Sequence, residues 1–152
     1  MRFKFELIVQ QAQPILFIRT RTAVENLPKV IGESFRKIIQ YLNELGEQPV
    51  DAPYTAYYNL DMQDLDVEIG FSVAKPLPEK DEIKSGEIPR GKYVSCMYKG
   101  PYSQMDQTYN EMFQWIEDKG YAQKGVYYEY YYNSPQDVPE SELLTKIVMA
   151  IK

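Results

Sequence analysis

Two glutamates and a lysine interrupt runs that are otherwise apolar and aromatic: Glu68 in Asp66-Val67-Glu68-Ile69-Gly70-Phe71, Glu129 in Val126-Tyr127-Tyr128-Glu129-Tyr130-Tyr131-Tyr132-Asn133, and Lys146 in Thr145-Lys146-Ile147-Val148. A carboxylate among aromatic rings favours cationic ligands and, placed beside a tyrosine, can take or give a proton. Tyrosine adds a flat apolar face for stacking and a hydroxyl that hydrogen-bonds. A lysine serves as a base only where burial lowers its pKa. Glu68 and Glu129 are therefore the candidates for acid–base work. A plainer reading stands beside this one, in which Glu68 is a solvated sheet-surface charge and Lys146 its surface salt-bridge partner, a pair of little energetic weight.

The composition removes most other chemistry. There is no histidine and one cysteine, Cys96. The commonest general base and metal ligand at neutral pH is thus missing, and neither a Cys/His metal cluster nor an intrachain disulfide can be built. No metal and no cofactor is expected. Cys96, in Tyr93-Val94-Ser95-Cys96-Met97, reads as a small strand residue rather than a nucleophile. The net charge is −5 and the basic residues are scattered, which disfavours direct nucleic-acid binding. Arg2, Lys4 and Glu6 break up the start of the chain, and no run is apolar enough to span a membrane, so a cytoplasmic protein is expected. The 152 residues suffice for one domain with a real core. An aromatic share of 14%, with 14 tyrosines, is high and suits an amphipathic pocket.

The elements that must position these residues come twice. Tyr57-Tyr58-Asn59 recurs as Tyr131-Tyr132-Asn133, an offset of 74 (131 − 57), which also carries Phe35 onto Tyr109, Ile39 onto Phe113, Leu42 onto Ile116 and Gly46 onto Gly120. A strand opens the chain at Phe3 to Val9, and a second covers Ile15 to Thr22. Leu27, Val30, Ile31, Ser34, Phe35, Ile38, Leu42 and Leu45 share a helical face, with Asn26-Leu27-Pro28 at its start and Gly46 past its end. Tyr54 to Asn59 and Asp66 to Ala74 form a hairpin about Leu60 to Gln63. The second copy repeats the plan: strand Gly91 to Tyr98, a helix from a Ser103/Asp106 capping box to Gly120, and strands Val126 to Asn133 and Leu143 to Ile151. Copy one covers about residues 1–75, a linker about 76–90 and copy two 91–152 of a single domain.

The expected class is α+β: duplicated βαββ units with pseudo-two-fold symmetry, both helices on one face of an antiparallel sheet and a ligand cleft on the other. Strand alternation sorts the side chains. Val67, Ile69, Phe71 and Val73 belong under the first helix, which leaves Glu68, Gly70 and Ser72 on the cleft face. In the last strand Thr145, Ile147, Met149 and Ile151 face the helix, and Lys146, Val148 and Ala150 the cleft. A carboxylate under a helix layer is costly, so the face carrying Tyr127, Glu129, Tyr131 and Asn133 is expected to line the cleft, with Thr55, Tyr57 and Asn59 as its partners. The inverse, a cleft lined by the other tyrosine face, also satisfies the pattern.

Tyr98-Lys99-Gly100-Pro101-Tyr102 leading into a helix, the run Val126 to Pro135, Val138-Pro139-Glu140-Ser141-Glu142-Leu143 and Asp64 to Phe71 together resemble the GyrI-like domain. That domain also serves as the effector-binding module of some AraC-type and MerR-type transcription regulators. The resemblance covers nearly the whole chain. It implies a pseudo-symmetric α+β domain whose central cleft binds small, often aromatic or cationic compounds. It also implies a glutamate just after a threonine in the last strand, where this chain has Thr145 followed by Lys146. The departure implies weaker binding of cations, or a Glu68 quenched by pairing with Lys146.

No helix-turn-helix module fits before Phe3, so a stand-alone domain is expected. Three functions follow from the resemblance, in this order. The first is binding of a small aromatic or amphipathic molecule, with a regulator as a protein partner. The second is metal-independent hydrolysis of reactive electrophiles by Glu68 or Glu129 with a tyrosine. The third is modulation of DNA gyrase through protein contacts. The ligand-binding residues expected are Tyr57, Glu68, Gly70, Tyr127, Glu129, Tyr131, Lys146 and Val148.

Overall fold

A computed structural model describes residues 3–152. In chain order the elements are β1 (Phe5–Gln10), β2 (Gln13–Thr22), α1 (Leu27–Leu45), β3 (Tyr54–Tyr57), β4 (Leu65–Ser72), β5 (Lys84–Ile88), β6 (Gly91–Lys99), α2 (Met105–Asp118), β7 (Gln123–Tyr131) and β8 (Leu144–Ile151). The class is α+β, and every strand pairing described below is antiparallel. The chain divides into two compact units, residues 11–90 and residues 3–10 with 91–152.

In the unit of residues 11–90 the strands are ordered β3-β4-β2-β5. Helix α1 begins with Pro28 in its first turn and ends where Gly46 turns left-handed, φ 69°. Its apolar stripe covers one face of the sheet. Leu27, Val30, Ile31 and Phe35 pack on Leu65, Val67 and Ile69. Further along, Ile38, Tyr41 and Leu42 pack on Leu16, Ile18, Phe71 and Val73. The alternation read from β4 is therefore the one observed.

In the other unit the order is β1-β6-β8-β7. Helix α2 buries Met105, Thr108, Met112 and Ile116. Its Tyr109 and Phe113 rings meet Tyr127 edge-on at 6.2 and 5.5 Å, and its Trp115 meets Phe5 at 6.2 Å. The capping box does not form. A short 3-10 turn at Tyr102–Gln104 takes in Ser103, the helix start moves to Gln104, and no side chain caps it.

Each unit carries the same β-α-β-β sequence with the same pairing, β3-β4-β2 in one and β7-β8-β6 in the other. Each adds one edge strand, β5 against β2 and β1 against β6. Residues 84–88, expected within the linker, are thus ladder strand. The opening strand, expected with copy one, pairs instead with the first strand of copy two.

The repeated asparagine has a shared structural task. Asn59 donates to Asp64 O at 2.9 Å and accepts from Asp66 N at 3.0 Å. Asn133 donates to Glu142 O at 3.1 Å and accepts from Leu144 N at 2.9 Å. One amide thus replaces the missing ladder bonds where each hairpin opens into its loop, although the loops differ in length. Asn59→Ala and Asn133→Ala should each lower the unfolding free energy by about 1–2 kcal/mol, the net worth of two hydrogen bonds. Urea denaturation of each variant checks this; an unchanged midpoint for both would show the clamps to be idle.

Candidate functional site

The face of β4 away from α1 carries Asp66, Glu68, Gly70 and Ser72. Across the ladder Glu68 lies between Ala56 of β3 and Arg19 of β2. Glu68 is 5% exposed, so its carboxylate must find donors within the protein. Tyr54 supplies one, its hydroxyl donating to Oε2 at 2.7 Å, and Tyr58 the other, to Oε1 at 2.9 Å. Desolvation by burial, reinforced by Glu68, pushes the Tyr58 phenol well above its ordinary pKa, so it stays a donor at neutral pH.

Charged groups hold the open side of this cluster. The Arg19 guanidinium lies 3.7 Å from the Tyr58 ring centroid and forks onto Asp66 at 2.7 and 2.8 Å. That hydrogen-bonded pair raises the pKa of Arg19 and lowers that of Asp66. Arg21 forks onto Asp64 at 3.0 Å on both oxygens. Gly70 lets the cluster close: a Cβ there would stand 2.4 Å from Leu16 O and 3.0 Å from the Tyr54 hydroxyl. The space above Gly70, expected to be left for a ligand, is taken by protein.

In the other unit, the face away from α2 carries Tyr128, Tyr130, Lys146, Val148, Ala150 and, on β6, Tyr93, Ser95 and Met97. Tyr93 and Tyr128 meet edge-on at 6.2 Å. The Lys146 ammonium stands 4.8 Å from the Tyr130 ring centroid. Val148, next to Tyr128 and Ser95 in the ladder, is buried. Beside Lys146 is a depression of about 360 Å³ lined by Lys4, Glu6, Ser95, Met97 and Lys146.

Glu68, Lys146 and Val148 thus lie on the expected faces, but four of the tyrosine-strand residues do not. Tyr57 packs with Leu65, Val67 and Ile69 on the α1 side, opposite to Glu68. Tyr127, Glu129 and Tyr131 lie on the α2 side, opposite to Lys146. Glu129, expected to avoid the helix layer, lies within it because the helix itself supplies a donor. Tyr109 of α2 donates to Glu129 Oε2 at 2.5 Å and Tyr131 to Oε1 at 2.8 Å. Burial still pushes the Glu129 pKa up against those two bonds, although part of the side chain reaches the surface. Copy one shows the uncharged counterpart. The positions of Tyr109 and Glu129 hold Phe35 and Thr55, and the Thr55 hydroxyl has no hydrogen-bond partner among the described residues.

Tyr54, Tyr58, Tyr128 and Tyr130 take the positions expected of the other tyrosines, and Arg19 joins them unannounced. A usable signal was the hairpin itself. Residues opposed across a ladder share a face, so Tyr57 opposite Val67 and Tyr131 opposite Thr145 must look toward the helices. Cys96 is buried and burial pushes its thiol up to about 12, which keeps it unreactive. Among the described residues no group of three or more acidic or cysteine side chains is placed to hold a metal ion, and no helix is long and apolar enough to cross a membrane.

The sequence matches the model of the GyrI-like small molecule binding domain over residues 3–152. No curated protein sequence matches it. Among solved structures, EcmrR in its cryo-EM complex with DNA superposes with a TM-score of 0.85 at 21% identity, covering 99% of this chain and 57% of that one. The chain therefore spans a little over half of EcmrR. The crystal structure of the EcmrR C-terminal domain gives 0.77 at 20% identity, covering 100% and 99%. A hydrolase from Listeria innocua gives 0.71 at 17% identity, covering 98% and 92%. At these identities the likenesses show the fold.

Glu129 makes stability depend on pH. Its folded pKa is raised by burial above that of the unfolded chain, so the folded state holds the proton more tightly. The stabilisation is full below the ordinary glutamate value, about 4.3, and is lost as pH rises through the raised folded value. The difference in unfolding free energy between the parent protein and Glu129→Gln should therefore turn against the parent as pH climbs from about 4 toward neutrality. Paired urea titrations across that range read it. A difference that is flat, or that grows in favour of the parent, would mean that the two phenols outweigh burial.

Proposed function

Because the chain belongs to the family of GyrI-like small molecule binding domains, we propose that it binds aromatic or amphipathic small molecules on the sheet faces turned away from α1 and α2. The observation that carries this is the Glu68 cluster. A buried carboxylate is held by two tyrosine hydroxyls and flanked by an arginine stacked on one of the rings. Such a group is arranged in advance, so a ligand meets a fixed polar anchor beside aromatic faces rather than having to order one. Tyr93, Tyr128 and Tyr130 give the corresponding face of the other unit its aromatic lining.

Hydrolysis is the second reading, and it gains weight from the same residues, since a carboxylate and a phenol are a workable acid–base pair. The geometry ranks it lower. Each Glu68 oxygen already accepts a phenol, and the raised Tyr58 pKa makes that tyrosine a poor base. Glu129, the other carboxylate considered, is engaged on the α2 side by Tyr109 and Tyr131.

Calorimetric titration with the neutral compound 2-naphthylmethanol should show binding. Tyr58→Phe, which strips one hydrogen bond from Glu68, should weaken it by about 1–2 kcal/mol through loss of the ordered anchor. The ester 2-naphthyl acetate should be recovered intact by mass spectrometry. Release of 2-naphthol that Glu68→Gln abolishes would put hydrolysis first.

A further inference from the structure

On the face away from α2 the cations differ in how they are neutralised. Lys4 pairs with Glu6 at 3.0 Å and Lys99 with Glu142 at 2.9 Å. Lys146 has no carboxylate within 4.0 Å among the described residues, and its ammonium faces the Tyr130 ring. It is only half-buried, in a row fixed by the ladder: Met97 of β6, Lys146 of β8, Tyr130 of β7. Neighbouring strands are about 4.8 Å apart, so a ring resting on Met97 lies one strand from the ammonium. Met97 is 45% exposed and presents a thioether suited to an aromatic face. The Ser95 hydroxyl, on the rim of the depression and on the diagonal from Lys146, has no hydrogen-bond partner among the described residues.

The matching row of the other unit is built the opposite way. There Ala56, Glu68 and Arg19 stand where Tyr130, Lys146 and Met97 stand here, and both charges are satisfied by neighbouring side chains. In the Glu68 row the charges are paired in advance within the protein; the Lys146 row leaves a positive charge, a hydroxyl and an apolar platform around an open depression.

We propose that the Met97–Lys146–Ser95 depression binds the anionic end of an aromatic acid, a flat ring lying on Met97 with its carboxylate on the Lys146 ammonium and the Ser95 hydroxyl. Tyr130 holds the ammonium in place by facing it, so the charge is positioned before the ligand arrives. Glu6 is occupied by Lys4 and sets the outer limit of the site. This inference rests on the small-molecule reading above and adds the charge of the ligand and the groups that select it.

The test is a matched set of probes, 2-naphthoate, 2-naphthylmethanol and 2-naphthylmethylammonium, titrated calorimetrically at low salt. The 13C-methyl signal of Met97 is followed in parallel. The expected result is that 2-naphthoate binds at least tenfold more tightly than the alcohol and moves the Met97 signal upfield. Lys146→Gln should abolish that preference and Lys146→Glu should reverse it toward the ammonium probe. Melting curves establish that the variants fold, and if the glutamate variant does not, the glutamine variant decides. Should the alcohol and the ammonium bind as well as the acid, the ligand's charge is wrongly assigned and small-molecule binding stands. A preference for the acid that leaves Met97 still and survives Lys146→Gln places the anion elsewhere and overturns the site. Binding of none of the three overturns this inference and the aromatic-ligand reading together.

Discussion

Side chains opposed across a β-ladder must share a face, and in this protein nearly every functional assignment follows from that constraint. Val67 and Ile69 are bound to the underside of α1 by their burial, so Tyr57 and Thr55 opposite them go there too. Their neighbours Tyr54 and Ala56, with Tyr58 just beyond, are thereby committed to the other side, beside Glu68. The asparagine clamps make the constraint rigid. By fixing the backbone where each hairpin opens, Asn59 and Asn133 prevent a one-residue slip that would send every tyrosine to the wrong face.

Two carboxylates, Glu68 buried and Glu129 half-buried, illustrate different solutions to one cost. Glu68 is served by tyrosines from the neighbouring strand, and the charged surroundings continue outward through Arg19 and Asp66. Glu129 is served from across the layer by a helix residue and from its own strand by Tyr131. Where copy one holds Phe35 and Thr55, copy two holds Tyr109 and Glu129, so the carboxylate occurs together with its donor.

Much of this was legible in the chain before any coordinates. The repeat, the residue limits of α1, the α+β class and the faces of Glu68, Lys146 and Val148 follow from periodicity and spacing. What was not legible were matters of partnership across elements. The faces of Tyr127, Glu129 and Tyr131 turned on whether α2 would supply a donor for Glu129, and that of Tyr57 on the register that sets it opposite Val67. Gly70 looked like vacant space because the approach of the Tyr54 hydroxyl and the β2 backbone is a tertiary event. The strand character of residues 84–88, polar and bounded by prolines, came from the exposed edge of β2 rather than from local preference.

The placement of β1 sets the order in which the chain can be completed during synthesis. The unit of residues 11–90 is contiguous, so all its ladders can close once residue 90 has emerged from the ribosome. The other unit takes β1 from before that stretch and its remaining strands from after it. Residues 5–10 must wait for β6, more than 80 residues on, to pair. Throughout that interval β1 is an unpaired strand with a free edge on each side, the kind of segment that invites wrong pairings. Charged residues at Lys4 and Glu6 and the polar end at half-buried Gln10 and exposed Gln11 give that edge some protection while its partner is still being translated.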